Sequence, residues 1–288
     1  MDLESGSTEI RTSETDKNGG NNPDLDGEEN VSRRNIIECE TRFHASRLPS
    51  AEFIKKLGAE MIGTFFLIFS GCGSVLVDKK TDGSITHLGV SIVWGLTVML
   101  LIYSVGHISG AHFNPSVTVA FATVNRFPVK EIPGYIVAQL VGSISAGFVL
   151  RLMFGDISHI AATVPSGSNM QSFVLEFLIT FLLMFVVCGV GTDTKAVGEL
   201  GGLTIGATVA MVVIVAGPIS GASLNPARTL GSAIAGNKYT GIWIYMVAPV
   251  LGAIAGTWTY NLIRLTDVPQ QQKVIKNDGS FLKKQSSN

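Results

Sequence analysis

The chain has 288 residues, 46% hydrophobic and only 15% charged, with 32 glycines and a formal net charge of -1. Soluble domains carry about 25% charged residues, so the composition excludes an ordinary soluble domain and points to a membrane protein. The near-neutral balance gives no basic footprint for nucleic acid, and three cysteines are too few for a disulfide framework.

Residues 1 to 45 hold eleven Asp or Glu and five Lys or Arg with few apolar residues. Such a stretch cannot bury a core, so residues 1–50 are expected to form a disordered, acidic, cytosolic tail. Nothing between Met1 and Ser50 resembles a cleavable signal peptide, so insertion is expected to rely on a later internal helix. Asn30-Val31-Ser32 matches a glycosylation sequon, but its use needs a lumenal tail, which the topology below contradicts. Cys39 lies in this tail, whereas Cys72 and Cys188 fall in apolar runs and are assigned to packing.

A membrane span needs about 20 mostly apolar residues. Six segments qualify: 57–77, 87–106, 131–152, 172–191, 200–219 and 241–263. Their even number puts both termini on one side. Ten basic residues near the spans lie on that side, among them Lys55, Lys56, Arg126, Lys130, Lys195 and Arg264, against five opposite, which favours cytosolic termini.

The halves repeat. "AEMIGTFFLIFSGCG" at 59–73 aligns with "LEFLITFLLMFVVCG" at 175–189, matching Glu60 to Glu176, Thr64 to Thr180 and Cys72 to Cys188. Gly95 then matches Gly206, and Gly142 to Ala146 matches Gly252 to Gly256. Each half has three spans, an odd number, so the second is inverted relative to the first. The domain expected is a channel-like unit over 51–265, with repeat one at about 51–155 and repeat two at about 170–265, followed by a cytosolic tail at 266–288.

Between the second and third spans of each half lies a polar segment, "GHISGAHFNPSVTVA" at 106–120 and "GPISGASLNPARTLG" at 217–231. Irregular backbone survives at membrane depth only where protein buries it or where it lines a watery cavity. Asn114-Pro115 and Asn225-Pro226 read as starts of re-entrant half-helices, since Asn is a strong N-cap and Pro is favoured at the first helical position. The cap uses the Asn oxygen and leaves its NH2 as a double donor. The residues before each cap are expected to run extended and to offer carbonyl acceptors. Two half-helices meeting head to head place about half a positive charge each at the midplane, which repels cations and interrupts a proton relay. The fold class is therefore an all-α membrane protein with six transmembrane helices and two re-entrant half-helices in an inverted 3+3 repeat.

The doubled Asn-Pro motif, the Ala-Glu at 59–60 that opens span one and "NPARTLG" at 225–231 resemble the aquaporin, or major intrinsic protein, family over about residues 52–264. "VWGLTVMLLIYSVGHISGAHFNPSVT" is similar to its plant nodulin-26-like branch, associated with water, glycerol and other small uncharged solutes including metalloid hydroxides. The resemblance implies an hourglass monomer in a homotetramer, each protomer with its own pore, and no cofactor. It assigns Asn114, Pro115, Ser116, Asn225, Pro226 and Ala227 to the pore motif, and Trp94, Val213, Ala222 and Arg228 to the narrowest filter.

The chemistry of those four suits a polyol. Arg228 carries a fixed fork of donors and repels cations, while Trp94, Val213 and Ala222 supply apolar walls. Strictly water-selective relatives carry His at the position of Val213, so small polyol-like solutes are favoured over water as the distinguishing cargo. Ser116 departs from the usual Ala; its hydroxyl is expected to bond locally to backbone. In the tail, Ser280 resembles the serine phosphorylated by a kinase in this branch, although a neighbouring basic residue is displaced by one position.

Blander readings stand beside these. A Glu inside a span suggests a proton relay by default, but the equivalence of Glu60 and Glu176 favours a structural task, holding backbone N–H groups of the polar segments. His107 and His112 have Pro218 and Ser223 as counterparts, so packing outweighs a metal site. Gly252-x-x-x-Gly256 is read as close helix packing. The rival function is an ion-coupled secondary transporter of a small neutral solute, which should carry an unpaired ionisable residue in one half only. An intramembrane enzyme is disfavoured by the absence of any nucleophile or metal motif. The membrane expected is the plasma membrane, with an internal membrane as the alternative.

Overall fold

A computed structural model describes residues 50–156, 162–193, 195–196 and 198–265. Asn30, Cys39 and Ser280 lie outside the described residues, as do both tails apart from Ser50. All regular structure among the described residues is helical: α1 (Ala51–Lys80), α2 (Thr86–Ser109), α3 (Pro115–Thr123), α4 (Ile132–Phe154), α5 (Asn169–Thr192), α6 (Gly201–Ser220), α7 (Pro226–Gly236) and α8 (Ile242–Ile263). One-turn 3-10 helices, Val129–Glu131 and Gly198–Leu200, lead into α4 and α6.

The six long helices are each long and apolar enough to cross a membrane. α1, α2 and α5 extend past their expected spans at both ends, most of all α1, which starts six residues before position 57, whereas α4 and α6 overrun only at the C-terminal end and α8 stays within 241–263. Hydropathy marks only the part of a helix that meets hydrocarbon; Glu52, in the first turn, and Lys79 and Lys80, in the last, complement the helix dipole and carry the helix beyond it. The outward faces are apolar, with Leu152, Met170 and Leu262 highly exposed, while Glu60, Thr64, Gln139, Ser143 and Glu176 are completely buried. That inside-out distribution suits a lipid solvent.

Close approach organises the bundle. α1 packs on α2 and α4, α5 on α6 and α8, and α2 meets α6. A Cβ on Gly95 would strike the Gly206 carbonyl, and one on Gly206 would strike the Gly95 carbonyl, so this crossing needs both glycines. Gly142 meets the Met61 carbonyl in the first half; Gly252 and Gly256 meet those of Phe177 and Phe181 in the second. Apolar burial gives little drive between helices in lipid, and small residues that admit backbone contact take its place.

The half-helices α3 and α7 are exchanged between repeats. α3 packs against α8 as well as α4, and α7 against α4 as well as α8. Arg151 of α4 donates from Nη1 to Ala235 O at 2.8 Å, placing a positive charge at the C-terminal, negative end of α7.

Candidate functional site

The two polar segments are built alike. α2 and α6 end at Gly110 and Gly221, whose φ angles of 88° and 83° require a residue without Cβ, and their N–H groups close the last turns onto Gly106 O and Gly217 O. The chain beyond is not the extended run expected from sequence. Ala111 and Phe113 have φ of 52° and 51°, and Ala222 and Leu224 have 43° and 55°, so left-handed residues alternate along each segment. For an L-residue that conformation costs about 1–2 kcal/mol.

Two buried glutamates offset it. Glu60 Oε1 accepts from Ser109 Oγ at 2.7 Å and His112 N at 2.9 Å, and its Oε2 accepts from Phe113 N at 2.7 Å and Gln139 Nε2 at 2.8 Å. Glu176 repeats the pattern on Ser220 Oγ at 2.7 Å, Ser223 N at 2.8 Å and Leu224 N at 2.8 Å. The N–H groups of each segment thus turn toward a carboxylate. Residues 110–114 and 222–225 of the same segments line one cavity.

Sequence reasoning missed the outer braces of this arrangement. Tyr135 OH donates to Ser109 O at 2.8 Å and Tyr245 OH to Ser220 O at 2.6 Å. The register that matches Gly142 to Gly252 also matches these tyrosines, so the signal was present. Gln139, whose counterpart is Pro249, has no such signal.

Asn114 and Asn225 cap α3 and α7. Asn114 Oδ1 accepts from Ser116 N at 2.8 Å, and Asn225 Oδ1 from Ala227 N at 2.9 Å and Arg228 N at 3.2 Å. Their amides are not free double donors. Asn114 Nδ2 donates to Leu224 O at 2.8 Å and Asn225 Nδ2 to Phe113 O at 2.7 Å. The helix starts meet so closely that each amide spends one N–H on the opposite segment and keeps one for the cavity.

That cavity, about 670 Å³, is lined by Asn114, Asn225, Trp94, Val213, Ala222 and Arg228 together. Leu67, Val98, Leu183 and Val209 supply apolar wall, and Asp193 and Gly198 stand at one end. The guanidinium carbon of Arg228 lies 5.3 Å from the centre of a Trp94 ring, within cation–π range. Its Nη2 donates weakly to Gly221 O at 3.5 Å, while Nε and Nη1 are buried and find no partner among the described residues. Buried donors of a charged group are costly to leave unmet, and the side chain that holds them lines the cavity.

A family model described as "Major intrinsic protein" matches residues 47–260. The chain belongs to the major intrinsic protein family. It is 57% identical over 235 residues to aquaporin NIP1-1 of Oryza sativa subsp. japonica, covering 81% of this chain and 82% of that one. It is 53% identical over 245 residues to nodulin-26 of Glycine max, covering 85% and 90%. Among solved structures, the aquaglyceroporin from Plasmodium falciparum matches with a TM-score of 0.66 at 26% identity, over 73% of this chain and 96% of that one. As a major intrinsic protein the chain is an integral, multi-pass membrane protein, and a channel, not an enzyme.

Further features of this major intrinsic protein differ from, or add to, what its sequence announces. Ser116 Oγ does not bond locally: it is fully buried with no partner among the described residues, while the Ser116 N–H goes to Asn114 Oδ1. His112 bonds Thr118 Oγ1 through Nδ1 at 3.1 Å and packs on Phe127 and Tyr135, and both His107 and His112 line the cavity. No cluster able to hold a metal occurs among the described residues. At the cavity end, Asp193 Oδ2 accepts from Tyr260 OH at 3.0 Å and pairs with Arg264 Nε at 3.5 Å, linking the end of α5 to the end of α8.

Proposed function

We propose that the chain is a passive channel that carries small uncharged solutes of the glycerol class in single file, together with water, and excludes protons and ions. The observation that carries this reading is the Arg228 guanidinium beside Trp94, Val213 and Ala222 in one cavity with both cap asparagines. A polyol offers hydroxyl oxygens to the guanidinium along one edge and C–H groups to the indole and valine along the other. An oxygen beyond the filter then meets one remaining N–H from each asparagine and the carbonyl edges of the two segments. Metalloid hydroxides share this chemistry, being small, neutral and rich in hydroxyls. The solved relative is named an aquaglyceroporin, which agrees with polyol cargo.

Cation exclusion follows from charge. Arg228 and the positive ends of α3 and α7 all face the solute file, and the acidic side chains nearby among the described residues are already engaged: Glu60 and Glu176 by backbone, and Asp193 by Tyr260 and Arg264. The same commitment argues against the ion-coupled transporter, which needs an ionisable group free to change partners.

The same reading includes a homotetramer in the plasma membrane, cytosolic termini, an acidic N-terminal tail over 1–50 and a C-terminal tail that a kinase modifies at Ser280. The decisive experiment is stopped-flow swelling of liposomes holding purified protein, with water, glycerol, urea, boric acid and arsenous acid. Glycerol flux that is fast, non-saturating and indifferent to an imposed ion gradient is expected. Saturating flux that follows such a gradient would establish the transporter instead.

A further inference from the structure

We infer that Gly71, on α1 and outside the four filter positions, determines specificity by seating the Trp94 indole, and so sets how far that ring enters the pore. A Cβ built on Gly71 would land on Trp94 Cε2, Cδ2 and Cζ2. These atoms straddle the fusion of the two rings, so the backbone of α1 faces the plane of the indole. The same side chain carries the Arg228 guanidinium, and it lines the cavity beside Leu67, one turn before Gly71 on α1. The position of the ring is thus set from behind by a missing side chain.

The inverted repeat supplies an independent observation. The register that matches Cys72 to Cys188 makes Val187 the counterpart of Gly71, and the register that matches Gly95 to Gly206 makes Ile205 the counterpart of Trp94. Val187 and Ile205 line the same cavity. In the second repeat these two positions carry two medium side chains; in the first, one position gives up its side chain and the other carries the largest available. Such an exchange is what close packing demands of two positions that share one volume.

A methyl group at position 71 cannot be absorbed by α1, whose Gly71 carbonyl is held in the helix and accepts Ser74 Oγ at 2.7 Å. The indole must move instead, and the open space beside it is the cavity. The opening beside Trp94 and Arg228 then narrows. Glycerol, wider than water, is obstructed first.

This rests on the reading that Trp94 faces the solute, so the experiment separates the two. Gly71→Ala is made in the full-length chain with Trp94, with Trp94→Phe and with Trp94→Ala, and the ratio of glycerol to water permeability is measured in liposomes at equal protein content. With Trp94 the ratio should fall at least about tenfold, the lower end of what one methylene is worth in an apolar pocket. With Phe the fall should be smaller, and with Ala it should vanish. Should Gly71→Ala fail to insert beside Trp94, the order of the Phe and Ala backgrounds still decides. A fall of equal size in every background, or none beside the largest ring that inserts, overturns the seat while leaving the filter reading intact. A Trp94→Ala single variant with an unchanged ratio overturns the filter reading, and the seat with it.

Discussion

Asn114 Nδ2 donates to Leu224 O at 2.8 Å, and the bond is returned by Asn225 Nδ2 to Phe113 O at 2.7 Å, so each repeat closes the other's cap. The reciprocal pair explains how two short helices hold their N-termini together against the repulsion of like dipole ends.

Asn225→Asp tests that lock. The substitution keeps the oxygen that caps α7 and replaces the donor by an acceptor facing Phe113 O. Leaving a buried carbonyl unmet costs about 1–3 kcal/mol before charge repulsion is added. The melting temperature of the detergent-solubilised protein should fall by at least several degrees, and the new negative charge should admit cations, read with a voltage-sensitive dye in liposomes.

The glutamates make a separate prediction. A neutral amide at position 60 or 176 presents one acceptor and one NH2 to a ring of N–H and O–H donors, so Glu60→Gln and Glu176→Gln should each destabilise by about 2–4 kcal/mol, with hydrogen bonds to charged groups worth about 1.5–3 kcal/mol apiece. Thermal unfolding and hydrogen exchange of residues 110–114 and 221–225 measure it. A proton relay predicts the reverse, lost flux in a protein of normal stability.

These contrasts show where the sequence was legible. The six spans, their inversion and the Asn-Pro helix starts follow from hydropathy, parity and capping chemistry, which are local. Alternating left-handed backbone at Ala111 and Phe113 was not, because no propensity of Ala or Phe announces it; the distant carboxylate of Glu60 imposes it. The cross-bonds of the asparagines were hidden for a related reason, since they depend on how two segments remote in sequence meet. Tyr135 and Tyr245 stood in the repeat register and could have been read from it.

Ser116 is buried with an unmet hydroxyl where the second repeat has Ala227. Ser116→Ala should therefore stabilise the protein by about 1 kcal/mol, the lower end of the cost of an unmet buried polar group. A rise of about 2–4 °C in melting temperature is the expected size for a chain of this length. Glycerol and water permeabilities should stay unchanged, since the hydroxyl lies inside α3.

Val213→His places a larger, polar ring in the cavity that Arg228 also lines. The opening narrows and gains a group that competes with the solute's hydroxyls for the guanidinium. Glycerol flux should drop at least about tenfold relative to water, again the scale of a small volume change in a tight pocket. Equal loss of both fluxes would remove Val213 from the filter.

Arg228 and its repeat counterpart Val117 line the same cavity, yet only one is charged. A cation passing within roughly 5 Å of the guanidinium meets about 3 kcal/mol at an effective dielectric of about 20, a barrier worth on the order of a hundredfold in rate. Arg228→Val gives the second repeat the residue of the first and removes that barrier while leaving the dipoles of α3 and α7. Proton and ammonium leak into liposomes loaded with a pH-sensitive dye should rise by up to that factor but remain below that of an open aqueous pore. A leak no greater than in the unaltered protein would assign the whole barrier to the half-helices, and a leak like that of an open pore would assign it wholly to the arginine.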